Sequence, residues 1–346
     1  MTKQEATSGW KADVAPYEKA STRRSIGQLL NTILPFLALW IVAYLSLSIS
    51  YWLALPIDVI AALFLVRIFI LFHDCTHHSF FKNRLANEIT GIVTGFLASF
   101  PYEQWKHEHA IHHATSSNLS RRGTGDIWTL TIDEYVVLPL VSRITYRVYR
   151  NPFVMFGIGP VYMLLVAYRY NRKSAGRKER LNTHLTSAAL IVFFGALAWL
   201  LGWRQMLMVE GPILYLSAMV GIWLFYVQHQ FEDTYFEHAA QWSYVRAALE
   251  GSSYYQLPRI LQWMVGNIGY HHIHHLSPRV PNYSLRQVHE GSPAMQQATA
   301  IGWRTSLKSL KYRLWDEKNK RFVGFSHGAV LQKKRRLQRV RIPGSA

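Results

Sequence analysis

Asn31–Ile49 reads NTILPFLALWIVAYLSLSI, nineteen residues without a charge. At 1.5 Å of rise per residue, a helix of that length is about 28 Å long, close to the roughly 30 Å hydrocarbon core of a bilayer. Ala54–Phe72, apolar apart from Asp58 and Arg67, and the uncharged Ser187–Trp203 and Pro212–Gln228 are similar stretches. The last two are slightly short, and flanking apolar residues lengthen both. A buried helix of a soluble protein reaches this length too, but four such stretches in one chain argue for a membrane protein. Composition agrees. Half of the 346 residues are apolar and 17% are charged, against roughly 25% charged in globular proteins. A disordered or fibrous chain is excluded. The single Cys excludes a disulfide scaffold and a thiolate zinc cluster.

The four spans pair into two hairpins. The turn near Ser50–Leu53 has no Lys or Arg, and the turn expected near Gln205–Val209 has only Arg204 beside it. RYNRKSAGRKER at Arg169–Arg180 holds six basic residues in twelve, and the tail beyond Leu331 contains KKRRLQRVR. The positive-inside rule puts both termini and the long central segment in the cytoplasm. Much of the net charge of +18 therefore belongs to a membrane surface with anionic lipids. No recognition module supports a nucleic-acid role for the tail. The start MTKQEATSGWKADVAPYEKA is too polar for a cleavable signal, so the first span is expected to remain as an anchor.

The expected architecture is an all-α integral membrane protein with two transmembrane hairpins (four spans) and a cytoplasmic, helical, histidine-rich domain. Its parts are a cytoplasmic segment at 1–30, a first hairpin at 31–72, a cytoplasmic or interfacial segment at 73–186, a second hairpin at 187–229, a cytoplasmic segment at 230–330 and a basic tail at 331–346. Ala86–Phe100 and Pro152–Tyr168 are expected to be interfacial, re-entrant or packed on the cytoplasmic domain, with crossing as the alternative. Inside the second span, Arg67 either snorkels to the headgroups or serves a site beside it. Asp58 lies nearer the other end.

Sixteen histidines are the anomaly, and most fall in three groups. FHDCTHHSF holds His73, His77 and His78. WKHEHAIHHATSSN holds His107, His109, His112 and His113. GNIGYHHIHHLSPRVPNY holds His271, His272, His274 and His275. Within them, His73/His77, His109/His112/His113 and His271/His274/His275 have the i, i+3, i+4 spacing that aligns side chains on one helix face. Each group follows, or lies on, a segment placed in the cytoplasm, so all three can meet at one site. Imidazole suits Fe, Zn, Cu and Ni. Eight selected histidines are too many for one ion and suit two. HEHAIHH is not the HExxH of zinc proteases, and redox logic favours two irons. An adventitious chelating patch is the plain alternative. For His78, His107 and His272, that plain role stands beside one of orienting a ligand.

These boxes, with HDCTH and the wider WKxxHxxHHxxT context of Trp105–Thr115, resemble the membrane fatty acid desaturase family. HEHAIHHATSSNLSRRGTGDIW, FYVQHQFED and GNIGYHHIHHLSPRVPNY resemble its bacterial acyl-lipid branch. The resemblance runs from the first hairpin to about Tyr283. It implies a di-iron enzyme that places a cis double bond in a long acyl chain of a membrane lipid. O2 would be the oxidant, and a ferredoxin or flavodoxin-like carrier the electron donor. No stretch reads as a cytochrome b5 domain, so a separate donor is expected. The resemblance also implies a further histidine ligand, for which His229 is the candidate, and a possible water held by Asn267, four residues before His271.

Ligand imidazoles need acceptors for their other ring nitrogens. Asp74, Glu103, Glu108, Asp126, Glu232 and Asp233 are candidates, against ordinary ion pairing. An acyl chain has no internal hydrogen-bonding handle, so an apolar channel must position it. Trp105, Trp128, Tyr226, Tyr235 and Trp263 are expected as walls of that channel or as an interfacial aromatic belt. Leu307, Leu310 and Leu314, between Lys308, Lys311 and Arg313, predict an amphipathic helix that lies on the bilayer, docks on the catalytic domain or receives an acidic electron donor. Within the same chemistry, a lipid hydroxylase, alkane monooxygenase or carotenoid oxygenase is the alternative. A membrane metal sensor or transporter is the alternative from another class, although a transporter places ligands near the membrane midplane. Bond position, acyl length and head group are not written in the sequence.

Overall fold

The computed structural model describes residues 9–327; the first eight residues and the basic tail at 331–346 lie outside the described residues. After the short α1 (Trp10–Val14), α2 (Thr22–Ser46) and α3 (Tyr51–Thr76) form the first hairpin. The Ser50 hydroxyl accepts the Trp52 N–H at 3.2 Å and starts α3. Its 26 residues make about 39 Å of helix, more than the bilayer core requires. The first histidine group stands at its C-terminal end, with His73 in the last turn and His77 at the cap.

α4 (Arg84–Leu97) is capped by Asn83, whose Oδ1 accepts the Ala86 N–H at 3.0 Å. With 14 residues it is too short to cross, and it packs along α3 instead. Gly95 makes the close approach possible, since a Cβ there would stand 2.8 Å from the Phe72 ring. α5 (Tyr102–Thr115) carries the second histidine group. After it come β1 (Leu130–Thr131), α6 (Ile132–Val137) and α7 (Leu140–Tyr149). A π-helical turn at Val154–Ile158 then leads into α8 (Gly159–Leu165). The axis bends by 61° between Leu140–Tyr149 and Val154–Arg169.

The second hairpin is α9 (Arg177–Leu201) and α10 (Trp203–His229). Together with α2 and α3, they make four helices long and apolar enough to cross a membrane among the described residues. The hairpin turns earlier than expected. Gly202 alone, at φ +93°, separates the two helices, and Gln205–Val209 lies inside α10. A backbone angle that only glycine adopts easily decides the turn, not the polar residues after it.

Beyond the second hairpin the chain continues with α11 (Tyr244–Leu249), β2 (Tyr254–Gln256), α12 (Arg259–Met264), α13 (His271–Leu276) and α14 (Asn282–Gly291). It ends with β3 (Ala300–Gly302), α15 (Trp303–Ser306), β4 (Leu314–Asp316) and β5 (Arg321–Val323). Short strands supplement the helices: β4 pairs parallel with β1 and antiparallel with β5, while β2 pairs parallel with β3. This corrects the expected amphipathic helix through Leu314. A 3-10 turn covers Leu307–Lys311, and the chain then extends so that Leu314 bonds opposite Val323. Ladder pairing has overridden the helical spacing of the leucines.

α3 lies at the centre, with Leu65, Ile68, Leu71 and Phe72 buried. Arg67 does not snorkel. It is buried, its Nε donates to Thr32 Oγ1 at 2.9 Å, and its Nη1 donates to the Trp263 carbonyl. Its guanidinium lies 3.9 Å from the Trp263 ring centroid, a desolvated cation–π contact worth about 2 kcal/mol. One side chain thus joins α2, α3 and the segment that leads into the third histidine group.

Candidate metal centre

Three elements deliver the histidines. α3 continues through Thr76 and stacks His73 over His77. α5 turns His109, His112 and His113 inward, and α13 does the same for His271, His274 and His275. His229 is the last residue of α10. Their nitrogens gather in two sets, His73, His77, His109, His113 and His274 in one and His112, His229, His271 and His275 in the other. Within each set, the available nitrogens all lie within 4.8 Å of one another. His73 and His274, two hundred residues apart, have ring centroids 4.3 Å apart.

Tautomers show what the second set requires. His112 Nδ1 donates to Asp126 Oδ1 at 2.6 Å, and His229 Nδ1 donates to the Gly251 carbonyl at 3.2 Å. With those protons on Nδ1, both Nε2 atoms are bare lone pairs. They nevertheless face each other at 3.2 Å. His271 Nε2 lies 3.0 Å from His229 Nε2 and 3.1 Å from His275 Nε2. Converging lone pairs repel unless a cation sits among them. In the first set, His109 and His113 bring their Nε2 atoms to 3.1 Å. His77 Nε2 and both His274 nitrogens are buried with no hydrogen-bond partner among the described residues. The donor sets therefore fit two metal ions, and all-imidazole ligation suits iron among the redox metals.

Burial, reinforced by neighbouring imidazoles, holds His109, His113, His271, His274 and His275 well below the ordinary imidazole range. They are neutral at physiological pH, the form that binds metal.

The expected supporting residues separate clearly. Asp74 Oδ1 lies 3.1 Å from His73 Nδ1, and its Oδ2 accepts the backbone and side-chain N–H groups of Asn282 at 2.6 and 2.8 Å. Asp126 holds His112. His107, in contrast, is exposed, because two positions before His109 point to the opposite face of α5. Glu108 bonds with Gln104 at 3.2 Å, and its carboxyl is pushed up by burial. Glu103 pairs with Lys178 and Glu232 with Lys308, while Asp233 is exposed. His78 takes a left-handed backbone, φ +55°, and its Nε2 meets Lys106 Nζ at 2.9 Å. His272 is buried outside both sets, its ring centroid 5.5 Å from that of His289. Asn267 does not share the face of His271. It precedes α13 at φ +58°, and its Nδ2 donates to the Asn282 carbonyl.

Sequence reasoning missed three supports: the Gly251 carbonyl, Asn282, and Tyr244, whose hydroxyl donates to the His275 carbonyl at 2.7 Å. Gly251 and Tyr244 act on or through backbone carbonyls, and residue type does not advertise that role. Asn282, in PNY just after the third group, is the one that a search for polar residues near the boxes would find.

An apolar cavity of about 570 Å³ meets the histidines from the membrane side. His73, His109 and His271 line it, with Phe69 and Ile70 of α3, Met155, Tyr162 and Met163 of the bent segment, and Ile222 and Phe225 of α10. Of the aromatic walls expected from sequence, only Trp105 faces this cavity. Tyr226 instead donates its hydroxyl to the Ser309 carbonyl, and Trp263 stacks on Arg67.

The fatty acid desaturase family profile matches residues 49–306. The chain is 56% identical to the "Fatty acid desaturase" of Bacillus subtilis (strain 168) over 312 residues, covering 90% of this chain and 89% of the relative. It is 27% identical to the "sn-1 oleoyl-lipid 12-desaturase" of Synechocystis sp., covering 72% of this chain and 71% of the relative. With the "Omega-6 fatty acid desaturase, chloroplastic" of Arabidopsis thaliana it shares 27% identity, over 64% of this chain and 49% of that protein. From the two histidine sets at the head of an apolar cavity to the match over most of its length, the chain belongs to the fatty acid desaturase family.

Proposed function

We propose that the protein is an acyl-lipid desaturase that introduces a cis double bond into a long acyl chain of a membrane lipid. The observation that carries this reading is the juncture of the two histidine sets with the apolar cavity between α3 and α10. His73, His77, His109, His113 and His274 would hold one iron, and His112, His229, His271 and His275 the other. Bound iron supplies the O2 chemistry that protein side chains lack. Asp74 and Asp126 keep the His73 and His112 protons on Nδ1 and fix both rings. The cavity walls exclude water and hold the chain so that one carbon pair lies near the metals.

The overall balance defines the partners. Two C–H bonds of the substrate give two electrons and two protons, and O2 becomes two waters. Two more electrons and two more protons must come from outside. A ferredoxin or flavodoxin-like carrier on the cytoplasmic side fits this need. Support for that side comes from Arg169–Arg180, whose basic residues enter α9 at the end where Glu103 of α5 meets Lys178. The turn between α2 and α3, at the opposite end, has no basic residue. Both features support a site at the cytoplasmic face of a bacterial inner membrane, against anionic lipids. Both histidine sets involve the ends of α3 and α10, not their middles, which disfavours a metal transporter.

Expression in a desaturase-lacking host, followed by lipid mass spectrometry, tests the reading. Loss of two hydrogens from an acyl chain is expected. Gain of one oxygen would make the protein a hydroxylase, and unchanged lipids would overturn the proposal.

A further inference from the structure

The two carboxylates that orient ligand histidines are not held alike. Asp126 bonds to His112 through Oδ1, and its Oδ2 is buried with no hydrogen-bond partner among the described residues. Asp74 is shared. Its Oδ1 lies 3.1 Å from His73 Nδ1, while its Oδ2 accepts two N–H groups of Asn282. The chain of bonds then continues. Asn282 Oδ1 accepts from Gln28 Nε2 at 2.6 Å, across 254 positions of sequence. Gln28 belongs to α2, and Gln28, Asn282, Asp74 and His73 are all buried.

Chemistry fixes the direction of this chain. An ionised carboxylate only accepts, so Asn282 turns its Nδ2 to Asp74 and its Oδ1 to α2. That oxygen needs a donor, and Gln28 supplies it. Each amide is thus held in one orientation by the next group. Without the Gln28 donor, Asn282 Oδ1 is a buried acceptor left unpaired, a state the amide relieves only by turning away from Asp74. Asp74 then loses a donor that fixes it, and His73 loses a fixed acceptor. Other bonds from the same end of α2 go elsewhere. Arg24 donates to the Tyr283 carbonyl and to Ser284 Oγ, and Ser25 Oγ donates to the Phe80 carbonyl.

We propose that Gln28 and Asn282 are positioning residues of the first histidine set. They hold Asp74 by Oδ2 so that Oδ1 stays on His73, and they make metal binding in that set depend on α2. This rests on the metal-centre reading above and adds a residue far from every histidine group.

Purified, iron-loaded Gln28→Met, Gln28→Lys and Arg24→Met are dialysed against graded chelator beside the wild type, and the Tm of each iron-free form is measured. Gln28→Met keeps the bulk and removes the donor. It is expected to release one iron at about tenfold lower chelator, the low end of the 10–100-fold worth of such supports, and to hold the other as the wild type does. Combined with Asp126→Ala, which bears on the second set, it should release both. Gln28→Lys returns N–H donors to the same oxygen and should retain iron better than Gln28→Met. Arg24→Met loosens α2 without cutting the chain, so it should lower Tm and keep both irons. If Gln28→Met fails to insert, Asn282→Ala takes its place with the same expected loss. Wild-type retention in Gln28→Met, release of both its irons in step, no recovery in Gln28→Lys, or an equal loss in Arg24→Met would overturn the assignment. Fewer than two irons in the wild type would instead sink the metal-centre reading itself, so the two failures are distinguishable.

Discussion

Replacing Asp126 with Ala removes the carboxylate that orients His112. The contact is short, 2.6 Å, and His112 is buried. Without an acceptor, the ring is free to rotate or to carry its proton on Nε2, the nitrogen that faces His229 at 3.2 Å. Supporting groups of this kind are worth about 10–100-fold in metal affinity, or about 1.4–2.7 kcal/mol. Asp126→Asn keeps an acceptor but loses the charge assistance, which makes such a bond roughly twice as strong, so its loss falls between wild type and Ala. The assay is iron content of purified protein after dialysis against graded chelator, with lipid product measured on the same samples. Asp126→Ala is expected to lose iron from one site first, because Asp126 touches only the second set. Glu108→Gln is the comparison. It is an equally acidic candidate on sequence, yet it bonds with Gln104 and no ligand histidine, so its iron content should match wild type. Equal chelator resistance of Asp126→Ala and wild type, or equal iron loss in Glu108→Gln, would refute the reasoning.

Other outcomes follow from the same geometry. His107→Ala should retain iron and product whereas His113→Ala should lose both, because one histidine is exposed and the other is in a metal set; lipid mass spectrometry and iron content read the difference. Arg67→Leu leaves the Trp263 carbonyl without its donor and removes the stacking contact. It should cost roughly 2–5 kcal/mol, seen as a lower Tm in detergent, with Arg67→Lys recovering part. Gly202→Ala forces an L side chain onto φ +93°, a strain of about 1–3 kcal/mol, and should reduce the yield of inserted protein. The iron-free protein should lose stability as pH falls. The five imidazoles held down in the folded state refuse protons that the unfolded chain accepts, so their contribution is complete above the ordinary histidine value of about 6.5 and declines below it. Melting curves across that range, with and without iron, measure it.

The spans were legible because length and apolar content are local properties, and the helical spacing of each histidine group is local as well. Convergence of the groups followed once the loops were assigned to one side. What the sequence hid is relational. Asp126 and Glu108 are both acidic neighbours of the second group, and only the loop path after α5 brings one back to His112. Arg67 looked like a residue on its way to water, but Thr32 and Trp263 claim it from distant positions. The turn at Gly202 hung on a single dihedral angle, and the strand at Leu314 on a partner strand. The cavity, too, is a property of packing.

The most direct test of the central claim is the iron content of active, purified protein, measured together with acyl conversion for wild type, His77→Ala and His275→Ala. Two irons per chain in the wild type are expected. Each variant should lose iron and should form no unsaturated lipid, since each breaks one set. Full conversion by wild type with one iron or none, or by either variant, would contradict a two-iron centre built from these histidines.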